Sequence, residues 1–585
     1  MQVIRVVKKF NSILSKHQRT RIIEIVIMMI LGGIMETCSV SLIIPFMDVV
    51  MEPEKIMGNG FVRFVCETFG IESSKAFLVF LAVILSLVFL VKNLFLLVEY
   101  NIQYRFVYGN MFLMQERLLT NLINRPYEFF LGVDSGKIVR IVNSDTSNTF
   151  GLLATLLSLF TELVVSGMMV ITVFIIAPAI TMTMAIVLIV MVLIINSIIK
   201  PILRRAGDDN QRSLAEMNKW LLQSIQGIKE LKVASKEGFF ERKFSSHGIK
   251  YVNSMRKHEL LSVVPRFLIE AIAMGTMFAV VAVLISRGAE LETIVPILTA
   301  VAMAAMRLLP SINRVSSALG TISYMEPMLD SLINSLKDIS GKERVSFGMD
   351  LSISSGSSAG SVLSFNNEIK LSGITYCYPG AEKNVLSNAR LDMEKGQSIG
   401  IVGTSGAGKT TIVDVLLGLL NPKEGQVLVD GVDIKEDMPG FLSLVGYIPQ
   451  SIFMLDDTIR ANVAFGEENV SDETVWKALS EASLDEFVKE LPDGLDTEIG
   501  ERGVRLSGGQ KQRIGIARAL YCDPSILVFD EATSALDNET EGAIMDSINH
   551  LKGNKTMIII AHRLTTIENC DVVYRVEDGM IKKER

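Results

Sequence analysis

The sequence predicts an all-α membrane domain with six transmembrane helices, followed by an α/β domain built on a parallel sheet. Two observations predict this division. Long apolar runs fill the first half of the 585 residues, whereas the second half alternates short apolar runs with polar segments, as a globular domain does. The mean hydropathy of +0.38 is too high for an ordinary soluble protein, although 21% of the residues are charged.

Composition excludes several other classes of protein. The five cysteines are scattered without C-x-x-C spacing, so neither a zinc site nor a disulfide framework is indicated. Glycine and proline occur at ordinary frequency, which argues against disordered and collagen-like chains. A net charge of −7 argues against a nucleic-acid partner held by bulk positive charge.

Six apolar stretches are each long enough to cross a bilayer, because a hydrocarbon core of about 30 Å takes roughly 20 helical residues. The first stretch is too long for a cleaved signal peptide. Lys and Arg are concentrated before the first span and in the 2–3 and 4–5 connections, so the positive-inside rule predicts a cytoplasmic N-terminus and C-terminal half. We expect an integral protein of the inner (cytoplasmic) membrane. The spans are predicted near residues 22–48, 76–98, 151–176, 179–199, 264–286 and 292–318.

The two long cytoplasmic connections predict helical extensions of the spans, because they far exceed ordinary loop lengths. Their turns at 126–136 and 227–238 could contact the soluble domain. Residues 60–70 fit either a short amphipathic helix at the outer interface or a packed loop helix, equally well. A Ser/Gly-rich segment then marks a linker. The predicted domains are a transmembrane domain at 1–340, a linker at 341–365 and a nucleotide-binding domain at 366–585.

A glycine-rich loop follows the apolar segment Ser398–Val402, which suits a buried strand, and precedes an apolar helical pattern. Strand, loop and helix in this order make the G-x-x-x-x-G-K-[ST] pattern a specific prediction of a phosphate-binding P-loop. Its backbone N–H groups would wrap the phosphates of ATP, Lys409 would reach the β- and γ-phosphates, and Thr410 would offer a hydroxyl to Mg²⁺. The loop consists of Gly403, Thr404, Ser405, Gly406, Ala407, Gly408, Lys409, Thr410 and Thr411.

An acidic pair follows a second buried strand, Ser525–Phe529. Open α/β sheets bind ligands at the carboxyl ends of their strands, where Asp530 and Glu531 stand. Asp530 would hold Mg²⁺ through water, and Glu531 would act as the general base toward the attacking water.

The segment Leu506–Gln510 (L-S-G-G-Q) resembles the signature motif of ATP-binding cassette (ABC) transporters, and other landmarks of that family occur in order. The resemblance implies that Tyr378 stacks on adenine and that His562 contacts the γ-phosphate. It implies that Gln450, in Y-I-P-Q, senses the γ-phosphate and the membrane domain, and that it is a ligand of the metal. It also implies a D-loop at Ser534–Asp537 and an exporter-type coupling segment at Thr497–Gly503.

The signature segment carries a further implication about assembly. Ser507, Gly508, Gly509 and Gln510 open a helix whose N-terminus suits an anion. In the family this helix faces the P-loop of the opposite subunit, so two ATP molecules lie between two chains. The resemblance therefore implies a half-transporter that works as a homodimer with two competent sites.

Polar residues inside the apolar spans predict the cargo, because charge in a bilayer is costly and usually faces a cavity or a partner. Arg307 and Arg314 lie seven residues apart on one helical face, whereas Arg266 and Glu270 are spaced to bridge one another. Two alternatives stay open: the arginines pair with acidic residues for structure, or the cavity binds a phosphorylated head group. The candidates are Glu36, Lys92, Asn93, Glu162, Arg266, Glu270, Arg307 and Arg314.

The membrane half is similar to PglK-type lipid-linked oligosaccharide flippases at Glu36–Phe46, Val264–Glu270 and Met306–Arg314. This resemblance implies ATP-driven flipping of a polyprenyl-pyrophosphate-linked oligosaccharide to the outer leaflet. It also implies that Lys92, Arg266, Arg307 and Arg314 contact the substrate, and that helix 60–70 engages the lipid tail. The alternative is an ABC exporter of another amphipathic lipid, drug or peptide. Aromatic residues make up only 7% of the chain, which weakens the drug exporter.

Overall fold

The computed structural model forms two compact units. The membrane unit comprises Met1–Arg125 and Val133–Leu351, and the cassette unit comprises Pro126–Gly132 and Ser352–Arg585. The described residues are 2–42, 46, 68, 73–176, 178–286, 291–340, 363–531, 542, 551–561 and 567–585. The short helix predicted at 60–70 and most of the linker predicted at 341–365 lie outside these residues.

The membrane unit is helical throughout its described part. Each of the six predicted spans overlaps one long helix, although the predicted end of the first span, after residue 42, lies largely outside the described residues. Three stretches among the described residues are long and apolar enough to cross a membrane, Lys16–Ser39, Lys75–Ile123 and Gly136–Met168. The helices are α1 (Gln2–Ile13), α2 (Lys16–Ser41), α3 (Ser74–Ile123), α4 (Tyr127–Leu131, in the cassette unit), α5 (Ser135–Arg140), α6 (Thr146–Ile176), α7 (Pro178–Gln226), α8 (Ile228–Ala234), α9 (Glu237–Ser286) and α10 (Leu291–Ser340).

Four of these helices, α3, α7, α9 and α10, contain 49 or 50 residues each. A bilayer needs only about 20 helical residues, so these helices continue well beyond the hydrocarbon core. The structure thus has the helical extensions that the long connections predict.

The N-terminal helix α1 is fixed to α10 by charge as well as by apolar packing. Val6 and Phe10 are buried, and the Lys9 ammonium lies 3.0 Å from Glu326 and 2.6 Å from Asp330. Burial acts to raise the pKa of Glu326, but hydrogen bonds from Lys9 and Gln2 outweigh it and hold that pKa below its ordinary value.

The cassette unit contains two sheets. The antiparallel sheet has the order β2-β1-β4-β5, and the larger sheet has the order β10-β9-β3-β8-β7-β6, parallel except for the β9–β10 pair. The strands are β1 (Glu368–Tyr376), β2 (Leu386–Glu394), β3 (Ser398–Gly403), β4 (Glu424–Val429), β5 (Val432–Asp433), β6 (Val445–Ile448), β7 (Ile526–Asp530), β8 (Thr556–Ile560), β9 (Val572–Glu577) and β10 (Met580–Lys583).

The central strands are long apolar runs because helices and a second sheet cover both of their faces. All five residues of β7 and all five of β8 are buried. The described cassette helices are α11 (Lys409–Leu416), α12 (Met438–Ser443), α13 (Ile459–Ala464), α14 (Asp472–Glu481), α15 (Asp485–Glu490) and α16 (Gly508–Leu520). The parallel register places the ends of β3, β7 and β6 at one edge of the sheet, where the predicted site residues begin.

A seven-residue segment of the first cytoplasmic connection, Pro126–Gly132, belongs to the cassette unit. Within it, the Glu128 carboxylate accepts a hydrogen bond from the Asn421 backbone N–H at 3.0 Å. The sequence places this segment at a cytoplasmic turn of the membrane domain, and the structure groups it with the cassette.

Candidate nucleotide-binding site

The P-loop connects the end of β3 to the start of α11. Gly406 and Gly408 have φ values of +80° and +104°, a backbone region that residues with a side chain adopt only under strain. A Cβ atom at Gly403 would lie 2.6 Å from the Val576 carbonyl oxygen. Thr404, Ser405 and Gly406 are exposed, so the middle of the loop is open to a ligand.

The Lys409 ammonium is a buried positive charge next to the backbone of this loop. It donates to the Gly403 carbonyl at 3.0 Å and to the Thr404 carbonyl at 3.2 Å. Among the described residues no carboxylate forms an ion pair with it. A buried cation held only by carbonyl dipoles suits an anionic ligand, and phosphate fits this requirement.

The two threonines that follow Lys409 differ in exposure. Thr410 is exposed, whereas Thr411 is buried and its hydroxyl lies 3.0 Å from the Tyr378 hydroxyl. The Tyr378 ring packs edge-on against Tyr376, with ring centroids 5.2 Å apart. Tyr378 is thereby fixed next to the P-loop helix, and Thr410 is the threonine whose side chain remains open.

The predicted acidic pair lies at the end of β7. Gln450 Nε2 donates to Glu531 Oε2 at 2.7 Å, and the Tyr447 hydroxyl donates to Asp530 Oδ2 at 3.5 Å. Glu531 has a φ of +49°, a strained conformation for a residue with a side chain, and such strain is concentrated at functional sites. The structure therefore brings Gln450 to the acidic pair Asp530 and Glu531, although Gln450 and Glu531 are 81 residues apart in the sequence.

Electrostatics at this edge favour a cation. Burial raises the pKa of Asp530, and the neighbouring Glu531 carboxylate adds to the effect, while Tyr447 and Lys409 act in the opposite direction. On α11, burial and then the charge of Asp530 raise the pKa of Asp414 to about 6. Several carboxyl groups crowded in a partly buried site would be relieved by a divalent cation.

The signature segment begins α16 with a capping box. Ser507 Oγ accepts from the Gln510 N–H at 3.3 Å, and Gln510 Oε1 accepts from the Ser507 N–H at 2.8 Å. Ser507 and Gly508 are exposed, Gly509 is buried, and a Cβ atom at Gly508 would meet nothing within 4 Å. In the described part of this chain, no hydrogen bond joins the segment to the P-loop.

Some predicted residues cannot be placed. His562 and the D-loop at Ser534–Asp537 lie outside the described residues, as does the side chain of Arg307. Their predicted roles stay predictions.

Arg314 is the predicted substrate residue for which the structure gives a charged partner. Its guanidinium forms an ion pair with Glu162, and its side chain is 55% exposed whereas that of Glu162 is 12% exposed. One edge of Arg314 therefore neutralises a nearly buried acid, while the rest of the side chain stays accessible.

The other predicted substrate residues lie in contrasting surroundings. Lys92 is buried, with its ammonium 5.2 Å from the centre of the Phe89 ring. Arg266 and Glu270 are both exposed, and among the described residues no ion pair joins them, so the bridge that their spacing allows is not formed.

Sequence reasoning missed two site residues. Tyr447 stands in the same Y-I-P-Q segment as Gln450, on the strand that pairs with β7, and Asp414 is an acid inside an otherwise apolar helix. A carboxyl group one turn into the P-loop helix, and a hydroxyl group on the strand next to β7, are the signals that could have identified these residues.

Comparisons with known proteins agree with this geometry. Residues 386–534 match the family model of the ABC transporter domain, and residues 20–306 match that of the ABC transporter transmembrane region. An ATP-dependent lipid A-core flippase of Photorhabdus laumondii is 43% identical over 218 residues, which cover 37% of this chain and 38% of the relative. A lipid A-core flippase of Vibrio vulnificus is 33% identical over 313 residues, which cover 51% of this chain and 54% of the relative.

The matched stretches thus span about a third to a half of the length of these curated relatives. A solved structure, that of a bacterial Atm1-family ABC exporter with ATP bound, shares the fold over 96% of this chain and 94% of its own, with a TM-score of 0.72 and 23% identity. The chain belongs to the ABC transporter family and has the exporter-type arrangement of a half-transporter, one transmembrane region followed by one ATP-binding cassette.

Proposed function

We propose that two copies of this chain form an exporter that uses ATP hydrolysis to flip an anionic glycolipid, a polyprenyl-pyrophosphate-linked oligosaccharide, to the outer leaflet of the inner membrane. The observation that carries the ATPase assignment is the assembly of Lys409, Gln450 and Glu531 at one edge of the parallel sheet. The relatives named as lipid A-core flippases support a lipid as the cargo.

The cassette side chains divide the chemistry of hydrolysis. Lys409 binds the terminal phosphates, and Glu531 accepts a proton from the attacking water while Gln450 orients its carboxylate. Thr410, Gln450 and Asp530 are the residues that would hold Mg²⁺, which neutralises phosphate charge when bound. The half-buried Tyr378 stacks on the adenine, and His562 contacts the γ-phosphate.

The exposed start of the signature helix supports the proposed homodimer. The start of α16 exposes Ser507 and Gly508 to solvent, and within the described part of the chain it makes no hydrogen bond to the P-loop. A helix N-terminus of this kind binds anions. A second copy would supply the missing phosphate-binding surface and complete two equivalent ATP sites.

The proposed cargo site is built from basic side chains in the membrane unit. Arg266 and Arg314 are exposed, and a guanidinium matches a phosphate oxygen pair by bidentate hydrogen bonds. Arg307 and Lys92 complete the proposed set, although the buried Lys92 would have to move to reach a ligand. An exporter of another amphipathic lipid or drug is the second candidate, favoured by the ion pair that already occupies part of Arg314.

Flipping in proteoliposomes tests the cargo assignment. We expect Arg307→Gln with Arg314→Gln to abolish flipping of a polyprenyl-pyrophosphate glycan and to leave basal ATP hydrolysis intact. A third variant adds Glu162→Gln, which removes the acid that Arg314 neutralises. If this third change restores flipping, the arginines serve the ion pair and the glycolipid assignment is wrong. Stimulation of ATP hydrolysis by simple cationic drugs, but not by the glycolipid, would support the second candidate.

A further inference from the structure

Three carboxyl groups converge inside the membrane unit, one from each of three helices. Glu36 lies on α2, Glu99 on α3 and Glu162 on α6. Glu36 is close enough for its charge to act on Glu99, and all three carboxylates act on the Tyr100 phenol. Among the described residues, the cation bonded to this group is Arg314, which pairs with Glu162.

Glu99 is the most deeply buried member, with 1% of its surface exposed. The Gln103 amide donates a hydrogen bond to its Oε1 at 2.9 Å. The second oxygen, Oε2, is buried and has no hydrogen-bond partner. A buried carboxylate oxygen without a donor is costly, so this position calls for a positive ligand.

The space at Oε2 limits what that ligand can be. Gly32 of α2 packs so closely that a Cβ atom built on it would lie 2.3 Å from Glu99 Oε2. A bound metal ion needs several oxygen ligands around it. Within the described part of the chain, no cluster of acidic, His or Cys side chains could hold a metal ion. A proton is the one positive ligand that needs no additional volume.

We infer that Glu99 is a proton-binding site, protonated while α2 and α3 are packed as here and deprotonated when they separate. The facing groups favour the neutral acid, since Glu36 and Glu162 are acidic and Gln103 and Tyr100 are uncharged in their ordinary states. Arg314 is engaged by Glu162, and Lys92, seven residues earlier on α3, lies over the Phe89 ring.

A proton from water adds to Glu99 Oε2, which then becomes a donor, and on separation of the helices the O–H bond breaks and the proton returns to water. Because the packed arrangement binds the proton more tightly, low pH favours it. Each transport cycle that separates α2 from α3 is therefore linked to the uptake and release of one proton.

Infrared spectroscopy of the full chain in lipid nanodiscs tests this directly. A protonated carboxyl group absorbs separately from a carboxylate. We expect the wild type to show a protonated-acid band at neutral pH that Glu99→Gln lacks. Glu116→Gln, an exposed glutamate on the same helix, is the matched control and keeps the band. Loss of the band in Glu36→Gln with its retention in Glu99→Gln would overturn the assignment.

If Glu99→Gln fails to fold, the infrared spectrum of the wild type alone still tests the proton site. Its spectrum at neutral pH must contain the protonated-acid band, and the band must disappear at alkaline pH. A neutral-pH spectrum with carboxylate bands only would refute the proton site. Neither measurement uses ATP or cargo, so its outcome is independent of the proposed flipping activity.

Discussion

Two carboxyl groups of the cassette unit and two of the membrane unit are hydrogen-bonded in opposite ways. In the cassette, Asp430 accepts three backbone N–H groups and Asp571 accepts two hydrogen bonds from Ser398. In the membrane unit, Glu99 and Glu162 each keep one buried oxygen without a partner. A fully satisfied carboxylate stabilises one conformation, whereas an unsatisfied one favours a change of state.

The largest expected effect tests the cassette. Glu531→Gln removes the general base and should lower ATP hydrolysis by about a hundredfold or more while ATP binding is retained, because general bases contribute at this scale. Phosphate release and nucleotide binding are measured on the same preparation. Glu468→Gln, at an exposed position, is the control and should hydrolyse ATP normally. Rapid hydrolysis by Glu531→Gln would show that another group accepts the proton.

A second prediction concerns the backbone of the P-loop. Gly408→Ala should lower the free energy of unfolding by about 2 kcal/mol and weaken ATP binding, because its φ is +104° and the new methyl group would lie 3.2 Å from the Leu386 side chain. Gly406→Ala has similar strain, with a φ of +80°, but open space around it. Thermal unfolding should rank the two variants in that order, and equal losses would contradict the close packing at Gly408.

A double-mutant cycle measures how much the ion pair between Arg314 and Glu162 contributes to the stability of the membrane unit. Arg314→Gln leaves the nearly buried Glu162 unpaired, and we expect a loss of about 1.5 kcal/mol, below the range for fully buried pairs because Arg314 is 55% exposed. Glu162→Gln in the same chain should recover most of this loss. Unfolding in mixed micelles measures the coupling, and strictly additive effects would show that the pair contributes no stability.

The smallest expected effect is a dependence of cassette stability on pH. Burial acts to raise the pKa of Asp571, but hydrogen bonds from Lys552 and Ser398 outweigh it and lower that pKa from its ordinary value of 3.8 to about 2. A carboxyl group whose pKa is lower in the folded protein than in the unfolded protein stabilises the fold at pH values above its unfolded pKa. This stabilisation is lost as the pH falls through its folded pKa. The contribution is therefore complete above about pH 4 and is lost towards pH 2.

Solvent screening of the 40% exposed Asp571 side chain reduces its contribution to about 1 kcal/mol. Asp571→Asn should flatten the acid side of the stability profile by this amount. Trp476 fluorescence reports the unfolding of the cassette in a Trp220→Phe background. An unchanged profile in Asp571→Asn would assign the acid sensitivity to other carboxyl groups.

The same contrast explains what could be predicted from sequence. In the cassette, local patterns determine local geometry: the glycines set the path of the P-loop, and the strand before Asp530 sets its position at the sheet edge. Gln450 could be assigned through the family resemblance, but its bond to Glu531 depends on the pairing of β6 with β7, which no local pattern contains.

In the membrane unit, apolar run length is sufficient to predict six helices, because the bilayer imposes that length. Pairing between helices is not a local property. The spacing of Arg266 and Glu270 favours a bridge that is not formed, whereas Arg314 finds Glu162 on another helix. The buried position of Glu99 depends on the absence of a side chain at Gly32, 67 residues earlier in the sequence, and no periodicity in α3 indicates it.

The segment Pro126–Gly132 gives the chain an unusual mechanical property. Because this segment belongs to the cassette unit, the polypeptide passes between the two units three times, after residues 125, 132 and 351. A protease that cuts the linker at 341–365 would sever the one covalent connection of residues 366–585 to the rest of the chain, while the segment Pro126–Gly132 would stay covalently joined to the membrane domain. The freed cassette fragment would stay attached through the seven-residue segment, held in part by the bond between Glu128 and Asn421. A movement of the cassette can thus be transmitted to the membrane helices through the segment Pro126–Gly132.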